Sequence, residues 1–124
     1  MTWRPSVLFA YPGGRLDKAQ LIALFEDYQN RKTDIRIYLW DHFFMDGERF
    51  FTAYQFAATD RKTGKRQAVG TGVSGRMKNG KIVVFKEFYD NEVAHHQYAG
   101  TLPLDEGVVM PWPASIWLRP DTVD

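Results

Sequence analysis

Residues 79–90, Asn-Gly-Lys-Ile-Val-Val-Phe-Lys-Glu-Phe-Tyr-Asp, decide the fold of this chain. Asn79–Gly80 is a strong signal for a two-residue hairpin turn. The β-branched and aromatic residues after it are typical of a strand, which we predict over residues 81–89. Asp90 then suits the N-cap of a short helix, and Gly100 suits the end of that helix.

The sequence before this segment indicates three more strands joined by short turns. Asp46–Gly47 and the turn at residues 62–65 separate runs of β-branched and aromatic residues. The four predicted strands cover residues 35–44, 48–59, 66–77 and 81–89. Strands joined in this way form an antiparallel meander. The glycines at positions 70, 72 and 75 predict bulging or strong bending of the third strand.

A helix and an edge strand precede the meander, and a tail follows it. Apolar residues recur at three- and four-residue spacing from Leu21 to Tyr28, which predicts a helix over about residues 18–29 with Asp17 as its N-cap. Residues 2–10 suit an edge strand or an extended arm. Residues 1–100 therefore form one domain. Residues 101–124 contain four of the six prolines and two tryptophans, so we predict a tail that packs on the same domain or on a neighbouring subunit.

Composition narrows the class of protein. The chain has 124 residues, a formal net charge of +1 and no cysteine, which excludes a disulfide framework and a thiolate metal site. The basic stretch at residues 61–66 surrounds a turn and is too narrow for a nucleic-acid surface. No apolar segment approaches the roughly 18 residues of a membrane span. We expect a cytoplasmic protein that binds neither nucleic acid nor membrane.

Both faces of the predicted sheet are apolar. On the last strand Phe85 and Tyr89 share a face with Glu87, whereas Ile82 and Phe88 point the other way. One amphipathic helix cannot cover both faces, and an antiparallel sheet with one wet face alternates more cleanly than this. We therefore expect the tail or a second subunit to cover the other face, in a homodimer or larger oligomer formed through the sheet.

The order of these landmarks resembles the SnoaL-like polyketide cyclase group of the nuclear transport factor 2-like superfamily. The landmarks are Trp3-Arg4-Pro5, Asp46-Gly47, Thr59-Asp60-Arg61-Lys62-Thr63-Gly64, Asn79-Gly80-Lys81-Ile82-Val83 and Glu87-Phe88-Tyr89-Asp90. The resemblance implies a cone-shaped fold with an apolar pocket. The expected fold class is thus α+β: a curved antiparallel meander, one main helix, one short C-terminal helix and a Pro- and Trp-rich tail.

The sequence departs from the family pattern before the first strand. Members of the group place helices ahead of a Trp-Arg-Pro-like strand, and those helices close the pocket. This sequence has no such helices ahead of Trp3. Either the pocket is open, or the tail or a neighbouring subunit takes the place of the helices.

Glu87 is the candidate catalytic residue. The resemblance implies that an isomerase would carry acids at Arg4 and near Val73, and both are absent. Glu87 instead matches the place of a catalytic aspartate in epoxide hydrolases of the fold, whose Arg and second Asp are replaced within residues 52–55. An apolar surrounding would raise the pKa of Glu87 to suit acid–base chemistry, with His42 as its partner. An ion pair with an arginine, either Arg49 or Arg76, is the alternative.

The remaining site predictions concern binding. We predict that five aromatic side chains line the ligand pocket: Trp40, Tyr54, Phe56, Phe85 and Tyr89. His95 and His96 are adjacent and diverge on a helix, so no metal site is predicted. No cofactor is expected, because the glycines at 70–75 lead into no helix and form no phosphate loop.

Three functions stay open on these residues. The first is a binding protein for apolar or aromatic small molecules that lacks a complete known catalytic set. The second is a cyclase, isomerase or epoxide-hydrolase-like enzyme that uses Glu87. The third is an oligomeric interaction module with a vestigial pocket.

Overall fold

The structure, a computed structural model, describes residues 2–11, 13–40 and 43–108. The elements of these residues are β1 (Thr2–Tyr11), β2 (Gly14–Leu16), α1 (Lys18–Arg31), β3 (Lys32–Leu39), β4 (Phe44–Asp46), β5 (Arg49–Asp60), β6 (Arg66–Lys78), β7 (Lys81–Phe88) and α2 (Asn91–Ala99). The single strand predicted over residues 35–44 is therefore two strands, β3 and β4. The tail beyond residue 108 lies outside the described residues.

The strands form one curved, unclosed sheet in the order β2–β1–β7–β6–β5–β3, with β4 paired to the start of β5. The predicted α+β fold and the antiparallel pairing from β3 to β7 are confirmed. However, β1 lies between β2 and β7 and runs parallel to β7. The sheet is mixed, because no hairpin joins β1 to β7 and the long connection between them allows a parallel pair.

Helix α1 crosses the concave face of the sheet. Its predicted cap is confirmed: Asp17 Oδ1 accepts a hydrogen bond from the Gln20 backbone N–H at 2.8 Å, and Gln20 Oε1 accepts one from the Asp17 N–H at 3.0 Å. The Phe25 ring meets Phe9 of β1 edge-on, and the Tyr28 ring meets Phe56 of β5. The helix ends at Arg31, and β3 begins at the next residue without a loop.

A bulge in β3 decides which side chains reach the concave face. Thr33 pairs with Thr59, but the next pair is Arg36 with Ala57, so β3 contains one residue more than β5 over this stretch. Asp34 in the bulge has a φ of 48°. The extra residue shifts the alternation of side chains, so Lys32, which pairs with Asp60, lies on the same face as Ile37.

Helix α2 covers the free edge of β6. β7 pairs with β6 only over Gly72–Lys78. At Ala68, in the earlier part of β6, the Gln97 side chain takes the place of a strand partner. Its Oε1 accepts from the Ala68 N–H and its Nε2 donates to the Ala68 carbonyl, both at 2.8 Å. The predicted ends of α2 are confirmed at Asp90, whose side chain accepts from the Glu92 N–H, and at Gly100, which is left-handed. Neither described helix is long and apolar enough to cross a membrane.

Residues 101–108 lie on the convex, outer face of the sheet. The buried Gln55 side chain bonds both ways to this segment: its Nε2 donates to the Asp105 carbonyl at 3.1 Å, and its Oε1 accepts from the Gly107 N–H at 2.8 Å. Arg66 holds both carboxylate oxygens of Glu106, at 2.5 and 2.7 Å. The Arg66 hydrogen bonds lower the pKa of Glu106 to about 2, as expected for a bidentate pair.

The glycines of β6 make room for aromatic rings at two of their three positions. The prediction that they mark bulging or strong bending is wrong for bulging, because β6 has no extra residue opposite β5. The β5–β6 ladder runs without a register shift from Thr59–Arg66 to Arg49–Arg76. A Cβ atom at Gly70 would collide with the Trp40 ring. One at Gly75 would collide with the Phe50 ring and lie 2.5 Å from the Val84 carbonyl oxygen. At Gly72 the nearest atoms are 3.8 Å away, which is ordinary contact.

Gly75→Ala should therefore destabilise the protein by about 1–3 kcal/mol, because the added methyl overpacks against backbone and a buried ring. Gly72→Ala is the matched control. It should leave the free energy of unfolding unchanged or raise it by up to about 0.5 kcal/mol, since alanine loses less entropy in a strand. Urea unfolding of the two variants measures the difference, and equal effects at both positions would contradict the close-approach explanation.

Candidate functional site

A cavity of about 640 Å³ lies between the concave face of the sheet and α1, with α2 at one end. Strands β3, β5, β6 and β7 supply its floor, and α1 covers it. Its wall is largely aromatic and aliphatic, including Phe25, Ile35, Ile37, Phe56, Val69 and Phe85. Cavities of roughly 300–1,000 Å³ with apolar walls and a few polar groups are the usual binding sites for small molecules.

Most of the site residues chosen from the sequence line this cavity. Tyr54 and Phe56 reach it from β5, Phe85 and Glu87 from β7, and Tyr89 from the residue after β7. Strands β5 and β7 both pair with β6. Because side chains alternate between the two faces of a sheet, these residues of β5 and β7 point to the same, concave face. That these side chains contact a ligand stays a prediction.

Trp40 and His42 are not part of this group. The Trp40 ring lies against Gly70, and its indole N–H donates to the Val108 carbonyl at 3.1 Å, on the outer side of the sheet. Trp40 comes two residues after Tyr38, so its side chain points to the same face. Tyr38 donates a hydrogen bond to Glu106 on the outer face. The prediction that Trp40 lines the pocket therefore does not agree with its position. His42 lies outside the described residues.

Glu87 and Tyr54 form the first polar group of the cavity. The Tyr54 hydroxyl donates to Glu87 Oε1 at 3.3 Å. Burial raises the pKa of Glu87, and the Tyr54 hydrogen bond offsets part of that rise. Burial and the neighbouring carboxylate also raise the pKa of Tyr54 well above the ordinary value. Tyr54 is thus a neutral donor beside a carboxyl group that protonates more easily than usual.

The alternative reading of Glu87, an ion pair with an arginine, is not found in the described part of the chain. Arg49 of β5 pairs with Arg76 of β6. Arg76 lies three residues along β6 from Val73, the residue that pairs with Glu87. The residue opposite Glu87 on β6 is Val73, which is fully buried. The position where the resemblance implied a second acid therefore lies next to Glu87 and is apolar.

Lys32, Tyr98 and Gln67 form the second polar group, which the sequence analysis missed. Lys32 is only 6% exposed. Its ammonium donates to the Tyr98 hydroxyl at 2.7 Å and to Gln67 Oε1 at 3.4 Å, and it lies 3.6 Å from the Asp60 carboxylate. The Tyr98 hydroxyl donates in turn to Gln67 Oε1. Strict alternation from Ile37 would put Lys32 on the outer face, so only knowledge of the bulge at Asp34 could have placed it here.

The described part of the cavity wall groups no set of metal ligands. Among residues 2–11, 13–40 and 43–108, no three His, Asp or Glu side chains are grouped closely enough to hold a metal ion. His95 lies at the cavity wall, and its ring is 3.7 Å from the Glu92 carboxylate one turn earlier in α2. His96 contacts the Thr101 hydroxyl instead, so the two adjacent histidines do diverge on the helix.

No protein-family model matches the sequence, and no match to a curated protein is found. Solved structures do match. A protein with a ketosteroid isomerase-like fold from Catenulispora acidiphila, solved with trimethylamine, gives a TM-score of 0.70 at 11% identity, over 83% of this chain and 79% of that one. IdmH, a proposed polyketide cyclase from Streptomyces antibioticus, gives 0.69 at 16% identity over 79% and 82%. An LEH-like epoxide hydrolase from M. tuberculosis gives 0.66 at 13% identity over 81% and 74%.

At these identities the likeness concerns the fold and leaves the chemistry open. The matches cover about four-fifths of this chain. The match to an NTF2-like protein from Burkholderia pseudomallei, with a TM-score of 0.68, agrees with the others. The chain shares the cone-shaped α+β fold of these NTF2-like and SnoaL-like structures, which is the fold that its sequence landmarks predicted.

Proposed function

We propose that this protein binds a flat, apolar small molecule in the cavity under α1. The observation that carries the proposal is the cavity itself, about 640 Å³ in volume and walled by aromatic rings. Such rings bury a large apolar area on a ligand and lose little side-chain entropy. The few polar groups of the wall are grouped at Glu87 and at Lys32, and they would orient the ligand.

Access to the cavity is consistent with this role. Ile35 and Ile37 of β3 belong to its wall and are 40% and 57% exposed, and Phe25 of α1 is also exposed. An apolar molecule would cover these side chains and remove their surface from water, at about 25 cal/mol per Å². The solved structures of similar fold include proteins described as a proposed polyketide cyclase and an epoxide hydrolase, which supports a small organic ligand.

The proposal predicts that naphthalene-2-carboxamide stabilises the protein in a thermal-shift assay. A ligand at about 100 times its dissociation constant adds about 2.7 kcal/mol to the free energy of unfolding, which raises Tm by several degrees. Ile37→Arg, which places a charge at the cavity wall, should abolish the shift. Phe88→Arg is the control, because Phe88 is similarly exposed but lies on the outer face. A shift that survives Ile37→Arg would contradict binding at this site.

Acid–base catalysis is a second candidate, and Glu87 is the observation that favours it. A carboxyl group with a raised pKa exchanges a proton more readily near neutral pH than an ordinary one. Its neighbour Tyr54 can donate a hydrogen bond to an oxygen that gains charge during a reaction. The pair resembles an acid–base couple with a donor, although the second acid of the isomerases and the Arg–Asp set of the epoxide hydrolases are replaced.

This candidate predicts a measurable pKa for Glu87. Titration of its side-chain carboxyl carbon by NMR should give a pKa above the ordinary 4.5, because burial disfavours the charged form. Tyr54→Phe should raise the pKa further, since it removes the hydrogen bond that stabilises the carboxylate. Tyr89→Phe, which removes a hydroxyl with no hydrogen bond to Glu87, should leave the pKa nearly unchanged. A wild-type value at or below 4.5 would count against Glu87 as an acid or base.

We propose further that two copies associate through the outer face of the sheet. Phe44, Phe51 and Phe88 are 56%, 43% and 58% exposed. Phe44 pairs with Phe51, and the Phe51 ring contacts the position of Gly72, which pairs with Phe88, so the three rings share one face. Residues 101–108 cover the part of this face around Gln55 and leave the rings uncovered. An exposed apolar patch of this kind suits a twofold contact with itself.

Light scattering after size-exclusion chromatography tests the association. The wild type should elute as a dimer, and Phe88→Arg should give a monomer, because it buries a charge in the contact. Ile37→Arg should remain a dimer. The two variants thus separate ligand binding from association. A monomeric wild type at about 100 µM would overturn the proposal for this face.

The cytoplasmic location stays a prediction from the sequence.

A further inference from the structure

We propose that Lys32, Tyr98 and Gln67 form an anion-binding end of the cavity, and that the natural ligand is a flat apolar carboxylic acid whose carboxylate binds there. This inference rests on the proposed binding function and specifies its ligand class. The three residues, which we call the Lys32 cluster, come from β3, α2 and β6 and all line the cavity. The observations that carry the inference are the burial of the lysine and the kind of partners it has.

The buried ammonium of Lys32 has one anionic partner among the described residues, and that partner is not in close contact with it. A buried charge is stable only when it is paired and hydrogen-bonded. Two of the partners, the Tyr98 hydroxyl and Gln67 Oε1, are neutral. The third, Asp60, lies 3.6 Å away, which is longer than a charged hydrogen bond.

The Asp60 carboxylate is also engaged elsewhere. Its Oδ1 accepts hydrogen bonds from the backbone N–H groups of Lys62 at 2.8 Å and Thr63 at 3.0 Å, within the turn between β5 and β6. These two bonds are the main cause of the lowered pKa of Asp60. Asp60 therefore divides its carboxylate between the turn, which Oδ1 stabilises, and the lysine, which Oδ2 faces at 3.6 Å.

The neighbours of the Lys32 ammonium restrain its position at the cavity wall. The ammonium also lies 5.2 Å from the centre of the Tyr98 ring, so the ring and the hydroxyl both restrain it. Lys32 is the C-cap of α1, and its N–H donates to the Tyr28 carbonyl. Because helix and strand join here without a loop, the lysine backbone both caps α1 and pairs with Asp60 of β5. A carboxylate that bonds to the ammonium would displace the weak contact at 3.4 Å with Gln67.

The position of Glu87 gives the ligand a direction. Gln67 and Val73, the neighbour of Glu87, are six residues apart on β6, which is roughly 20 Å along a strand. Between the two polar groups the wall contains Phe56 and Val69. A carboxylate is attracted by Lys32 and repelled by an ionised Glu87, so an apolar acid enters with its charged end toward α2 and its rings over the aromatic wall.

The test compares two probes of the same size and ring system, the anion 2-naphthoate and the neutral naphthalene-2-carboxamide, by calorimetric titration of the full chain at pH 7. The wild type should bind the naphthoate about ten times more tightly than the amide. Lys32→Met should weaken naphthoate binding about tenfold and change amide binding by less than twofold. Tyr98→Phe should weaken naphthoate binding by a few fold. Lys78→Met, which removes an exposed charge at the far end of β6, should affect neither probe.

The outcomes separate this inference from the proposed function. The anion-binding end is overturned if the wild type binds both probes equally, or if the naphthoate preference persists in both Lys32→Met and Tyr98→Phe. In either case, amide binding still upholds the cavity as a binding site. Failure of both probes to bind overturns the two proposals together. Circular dichroism shows whether each variant is folded. If Lys32→Met is not folded, the ratio of naphthoate to amide affinity in Tyr98→Phe decides between the outcomes.

Discussion

The attachment of α1 to the sheet at two points is the constraint on which the rest of the structure depends. At one end the Phe25 ring meets Phe9 of β1, and at the other the Tyr28 ring meets Phe56 of β5. The passage from Arg31 to Lys32 without a loop fixes the second end. A single helix held in this way spans the curved face but does not fill it, so the aromatic floor between the two contacts becomes the wall of a cavity.

The two faces of the sheet consequently have different roles. The concave face carries an apolar cavity with Glu87 and Tyr54 in one part and Lys32 and Tyr98 in another. The outer face receives residues 101–108, which two-way hydrogen bonds from Gln55 hold in place. A second carboxamide, that of Gln97, covers the edge of β6. Side-chain amides thus satisfy backbone groups where no strand is available.

Local signals in the sequence were sufficient for much of this fold. The Asn79–Gly80 turn has the left-handed backbone at both residues that a two-residue hairpin needs, and the caps at Asp17 and Asp90 are as predicted. At Asp46–Gly47 the hairpin is correct but the loop is Gly47 and Glu48, since Asp46 pairs with Arg49. Features set by distant contacts were missed: the parallel partner of β1, the bulge that turns Lys32 inward, and the ring contacts that require glycine in β6.

The central claim is that a ligand binds on the concave face, under α1. Methyl chemical shifts measured by NMR during titration with naphthalene-2-carboxamide test it most directly. Saturable shifts of the Ile35, Ile37 and Val69 methyl groups, with little change at Leu102 and Val108 on the segment that covers the outer face, are the predicted result. Shifts confined to Leu102 and Val108, or no saturable shift at the three cavity residues, would contradict the account.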